Sequence, residues 1–253
     1  VLTAYITNTQ NLLQKPAATT PLYPASDITN WINIARGQLA GEAECIRVQG
    51  TISTVVGQRN YAFSALNLGT PTVTGVEGII HMRSIQYGIG GGTQWIPSRA
   101  WEWFNLYALS NPVPPSGFPM AWAQYGQGSS GQGTGSGASG SFYIDPVPDA
   151  VYPLTCDCVC YPITLALDSD VEAIPYLWTD AVPFFAAYYA LLSAQSSARV
   201  ADAERMFKNY QTFSDRARKF ANPSVERWQY EQAGDVAQAA AFGIKPNAGA
   251  GAQ

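Results

Sequence analysis

Residues 172–221 constrain the fold more than any other stretch of the chain. They encode two consecutive amphipathic helices with a short break at Ser196-Ser197. In the first, Ala181, Phe184, Phe185, Tyr188, Leu191, Leu192 and Gln195 recur at the helical period. Thr179 or Asp180 is placed to cap it, and Pro183 falls in the first turn, where a missing amide costs little. In the second helix Ala203, Met206, Phe207, Tyr210, Phe213, Ala217 and Phe220 make the apolar stripe. Glu204-Lys208 and Asp215-Lys219 are acid-first pairs one turn apart, and Asn222-Pro223 ends the helix. Two aromatic-striped helices with a short link predict an antiparallel pair. The first has a second apolar side of small residues, Ala186, Ala187 and Ala190. A helix that is apolar nearly all round needs partners on more than one side. Two arrangements satisfy that: a central place in its own chain's core, or a core place shared with contact to a neighbouring subunit. The apolar run is too short for a membrane span of ~20 residues.

The N-terminal segment supplies further helices. Residues 2–14 place Leu2, Ile6 and Leu13 loosely on one side, and Lys15-Pro16 ends that run. Ser26 or Asp27 is placed to cap a second helix, whose buried face is marked by Ile28, Trp31, Ile32, Ala35 and Leu39 and which extends towards Ile46. From Thr51 the period changes to two. Residues 51–56 and 60–66 read as strands joined through Gly57-Gln58-Arg59-Asn60, with Tyr61 and Phe63 on one face. Residues 76–87 read as another strand before a Gly90-Gly91-Gly92 turn. Residues 98–109 read as a helix capped by Ser98, with Trp95, Trp101, Trp103 and Tyr107 placed to form an aromatic cluster. Residues 119–125 and 142–147 read as short strands flanking the uncharged, seven-glycine stretch of residues 126–141, a long hairpin tip. Residues 151–167 are extended and lead back to the main helices.

The pattern predicts an α+β protein: a multi-helix bundle formed by N- and C-terminal segments, with a large β-rich insertion. The segments are residues 1–50 and 172–222 for the helical core, 51–171 for the insertion and 223–253 for a C-terminal arm. The arm carries Trp228, Tyr230 and Val236 on a weak stripe, then a glycine- and alanine-rich end.

Charge and motif content narrow the function. Only 13% of residues are charged, against ~25% in ordinary domains. Residues 1–198 hold six basic and twelve acidic groups, and residues 199–253 hold eight and six. A negative body with a slightly positive end is a poor grip for duplex DNA, yet limits sticking to nucleic acid passing beside it. The region at Val1 lacks the basic segment and apolar core of a secretory leader. Cys156, Cys158 and Cys160 form a CDCVC run that on a strand points one way, with sulfurs too far apart for easy near-neighbour disulfides. With Cys45 they read as buried or half-buried reduced thiols, without zinc. The glycines at 90–92 lack the lysine and hydroxyl of a phosphate loop. His81 stands alone as a histidine, and Asp168, Asp170 and Glu172 read as capping, solvated or interface acids. No catalytic residue, cofactor or metal is expected.

DSDVEAIPYLWTDAVPFFAAYYALLSAQ and DAERMFKNYQTFSDRARKFANP, with ASDITNWINIARGQLAGEAE near the N-terminus, resemble head-to-tail adaptor proteins of short-tailed bacteriophages. That resemblance implies a structural virion subunit, without enzymatic activity, in a dodecameric ring at the neck between portal and tail. Its partners would be identical subunits, the portal protein, tail nozzle or fibre proteins, and genomic DNA crossing the channel without sequence-specific binding during packaging and ejection. Trp31, Phe184, Phe185, Tyr188, Leu192, Phe207 and Tyr210 would then be core or lateral contacts, and Trp228, Tyr230 and Val236 portal-arm contacts. The alternatives are another virion part such as a tail nozzle, and an aromatic carbohydrate-binding module.

Overall fold

The computed structural model describes residues 1–13, 23–89, 92–110, 114–126, 140–193 and 199–221. In chain order the first elements are α1 (Leu2–Leu12), α2 (Ala25–Ala43), β1 (Arg47–Ser53), β2 (Asn60–Ala62), α3 (Pro71–Thr74), β3 (Val76–Ile89) and β4 (Gly92–Ile96). They are followed by α4 (Trp101–Trp103), β5 (Ser116–Gly117), β6 (Ala121–Tyr125), β7 (Ser141–Asp145), β8 (Val147–Pro148), β9 (Pro153–Pro162), α5 (Ala181–Ser193) and α6 (Val200–Ala221).

The two ends of the chain build one bundle. α5 is its centre and packs against α1, α2 and α6, while α2 also meets α1 and α6. Ring contacts give the direction of the α5–α6 pair. Phe184 meets Phe213, Phe185 meets Tyr210 and Tyr188 meets Phe207, so partner numbers fall as those of α5 rise. The pair is antiparallel. α1 buries Leu2, Tyr5 and Thr9, Leu13 is buried just beyond it and Ile6 packs against the core, so the expected side is kept and widened by Tyr5 and Thr9. Neither Ser26 nor Asp27 caps α2, which starts after Pro24 without a side-chain cap. Thr179 does not cap α5 with its hydroxyl, which donates to the Tyr176 carbonyl at 2.8 Å and closes the 3-10 turn Tyr176–Trp178.

The insertion holds a four-stranded antiparallel sheet, ordered β1-β9-β3-β4, and a three-stranded sheet, ordered β2-β7-β6. β5 and β8 pair in parallel. The larger sheet does not project free of the bundle. Its strand β9 lies against α2, and Ile79, Ile85, Cys156, Cys158 and Cys160 join the bundle residues in one continuous core. The β6–β7 hairpin forms as its flanking sequences predict, with Ala121 opposite Asp145 and Tyr125 opposite Ser141. Its glycine-rich tip lies outside the described residues.

Three local expectations change. β1 begins at Arg47, inside the segment assigned to the N-terminal core, and pairs with β9. The predicted strand at 60–66 is a strand only to Ala62, followed by a 3-10 turn Phe63–Ala65, and β2 joins the other sheet. Residues 98–109 give the short α4 followed by a π-turn, Phe104–Ala108, and Ser98 bridges to Trp122 instead of capping. At the start of β3 the geometry requires a glycine. Gly75 has φ +68°, and a Cβ there would stand 2.9 Å from the Val171 carbonyl oxygen. That close approach seats the chain leading to α5 on the start of β3.

Candidate interaction surfaces

The aromatic stripes of α5 and α6 meet as a seam. Phe185 is only 5% exposed and lies 4.5 Å, ring to ring, from the fully buried Tyr210. Phe184, Tyr188 and Phe207 are half-buried, as is Trp31, which makes an edge contact with Tyr23 at 5.8 Å. The Tyr210 hydroxyl donates to Glu42 at 2.7 Å and Ser214 donates to the same oxygen at 3.2 Å, so the phenol of α6 is tied to α2. Burial and this carboxylate both push the Tyr210 hydroxyl pKa above the ordinary phenol value. Leu192, by contrast, is 44% exposed and is no core residue. Phe220, the last member of the predicted stripe, is also exposed.

The small side of α5 is not left free. Ala186, Ala187 and Ala190 are fully buried within this chain. α1 and α2 are the bundle helices that meet α5 besides α6. Of the two arrangements open from sequence, the central place in the chain's own core accounts for these alanines. They are no surface for a neighbouring subunit.

The acid cluster before α5 anchors the segment between β9 and α5. Glu172 receives the Arg36 guanidinium through both oxygens, at 2.9 and 3.0 Å, with side-chain exposures of 11% and 1%. Arg36 also donates to the Ile163 carbonyl, and Glu172 accepts from the Ile174 amide at 2.9 Å. Asn33 brackets Leu165 through its carbonyl and amide, at 3.0 and 2.9 Å. Asp170 accepts the Leu167 and Ala166 amides, which lower its pKa below the usual carboxylate value. Arg36 escaped the sequence reading because it is charged. The signal was its spacing, four residues after Ile32 on the buried face of α2.

The ends of α2 and α6 meet the sheet at a second polar junction. Glu44 closes α2 with φ 52°. Its carboxylate stands 3.2 Å from Arg83 and 3.7 Å from His81. Arg83 also reaches the Ala221 carbonyl at 3.4 Å. Beside this junction a cleft of about 540 Å³ opens between α2 and α6, lined by Gly41, Glu42, Glu44, Phe207, Gln211, Ser214, Asp215 and Arg218. Its charged, open walls suit contact with a polar protein surface better than enclosure of a small apolar ligand.

Cys156, Cys158 and Cys160 are buried free thiols, and Cys45 is half-buried. Burial raises the Cys158 and Cys160 thiols to about 12, and Cys45 to about 11. Among the described residues no group of three or more His, Cys, Asp or Glu could hold a metal ion, and no helix is long and apolar enough to cross a membrane. Of the predicted aromatic cluster, Trp101 and Trp103 pack against one small core of Phe104, Ala121 and Ala123, while the Tyr107 side chain lies outside the described residues. Trp101 packs on Tyr125 and Tyr143 at 4.5 and 4.9 Å, Trp103 on Phe104 at 5.5 Å, and Trp95 stands exposed on β4. Trp228, Tyr230 and Val236 lie outside the described residues.

Among the described residues Phe220 at the end of the bundle and Trp95 and Tyr125 on the β region stand exposed. No curated protein matches the chain. A sequence model described as SU10 adaptor protein matches residues 3–237, spanning both halves of the bundle and the whole β-rich insertion. The chain therefore belongs to the SU10 adaptor protein family, a family of phage adaptor proteins.

Proposed function

We propose that the chain is a passive structural subunit of a closed ring at the head-to-tail junction of a bacteriophage virion, without catalytic activity. The observation that carries this reading is the family match, which covers nearly all of the chain. The fold is consistent with it: a helical bundle and a β-rich insertion share one hydrophobic core. In the ring, identical subunits, dodecameric by resemblance, contact one another through complementary faces that repeat around the axis. The candidates for those lateral faces are exposed residues, Leu192 among them, because Phe185, Tyr210 and the small alanines are used inside the chain. The acidic body lines or borders the channel and lets DNA pass without specific binding. Residues 224–253 reach the portal protein, and the β-rich insertion faces tail nozzle or fibre proteins.

Purified full-length protein, incubated with portal-bearing heads that lack it, tests this reading. Saturable binding as a closed ring is the expected result, weakened by deletion of residues 224–253 while the helical circular dichroism signal of the body persists. Failure of the full chain to bind the portal would contradict the adaptor reading, whereas full binding by the truncated chain would contradict only the arm assignment.

A further inference from the structure

The bundle ends in an apolar surface that no described residue covers. Tyr176 is 89% exposed, Leu177 73% and Phe220 74%, and Trp178 lies against Phe220 with ring centroids 5.6 Å apart. Contiguous exposed side chains of this size mark a contact site. Position, reach and charge say what occupies it. α6 ends at Ala221, immediately after Phe220, so the following segment leaves from the rim of the patch. Trp228 and Tyr230 come soon after, and at roughly 3.3–3.6 Å per extended residue the tether is long enough to turn back over the patch. A short tether holds these rings at a high effective concentration that a free partner has to match. Residues 224–237 carry Glu226, Glu231 and Asp235 against the single base Arg227. The end of α6 offers the exposed bases Arg216, Arg218 and Lys219, and Asp180 beyond the Tyr176–Trp178 turn is available to Arg227.

We propose that residues 224–237 seat Trp228 and Tyr230 on the Tyr176–Leu177–Phe220 surface of the same subunit. The contact goes beyond the adaptor reading: it belongs to the free subunit, before the arm reaches the portal, and does not depend on the ring.

Hydrogen–deuterium exchange of the full chain tests it, followed on the peptide covering residues 174–181. The amides of Trp178 and Thr179, which donate to the Pro175 and Tyr176 carbonyls at 2.8 and 3.4 Å, belong to the turn beneath the patch. Trp228→Ala with Tyr230→Ala should speed exchange in this peptide about tenfold, the scale of losing an aromatic anchor. Trp228→Phe with Tyr230→Phe should retain most of the protection, and neither result should depend on protein concentration. Unchanged exchange in the alanine variant overturns the proposal. Protection that grows with protein concentration assigns the patch to a second copy and overturns it equally.

Discussion

Phe185 and Phe207 face one another across the seam with ring centroids 6.3 Å apart, yet their surroundings differ. Phe185 is enclosed, whereas Phe207 lines the open cleft. Phe185→Ala should cost about 3–5 kcal/mol, the range for a fully enclosed phenylalanine. Phe207→Ala should cost less than that range because water already reaches part of its ring. Urea midpoints of the two variants check the order, and a larger loss at Phe207 would contradict it. The thiols of β9 make a pH prediction. Burial holds Cys158 and Cys160 neutral up to about 12. Unfolded thiols ionise near ~8.5. Their contribution to stability is therefore fully present below ~8.5 and is lost as pH rises from there towards about 12. Urea titrations across that window should show a falling midpoint, with a shallower fall in Cys158→Val.

At the scale of elements, the connection from β9 to α5 is held by Arg36 and Glu172. Glu172→Ala leaves a guanidinium buried without its counter-charge, and removal of one partner from such a pair costs about 3–5 kcal/mol. Replacing Arg36 and Glu172 together by methionine and leucine should cost less than Glu172→Ala alone, which a urea double-mutant cycle measures. The helices around this anchor were legible in sequence because α2, α5 and α6 repeat apolar residues at the helical period over many turns. The one-sided run of cysteines was legible too, since alternation survives even on a buried strand. Strand partners were not. Arg47 of β1 lies opposite Val159 of β9, and no local pattern announces a partner so distant in sequence. β4 was missed because its glycine-rich start reads as turn, and Arg36 because a charge on an apolar face looks like an error until its acid is located. The small face of α5 was legible as a face needing a partner, but sequence left its owner open between this chain and a neighbour.

The whole molecule joins a bundle made from both ends of the chain to a β-rich insertion inserted between them. In that arrangement the insertion cannot be removed without exposing apolar surface of the bundle, because the bundle and the larger sheet share one hydrophobic interior. β9 packs against α2, so the larger sheet is in direct contact with the bundle. The proposed ring puts that body between two neighbours and leaves the ends of the subunit for portal and tail. Cryo-electron microscopy of the complete virion, at a resolution that places helices, tests this claim most directly. The account predicts density for this bundle and its two sheets in a closed ring at the portal-to-tail junction, around an open channel. Density for the chain at any other place in the particle, or none in the particle at all, would contradict it.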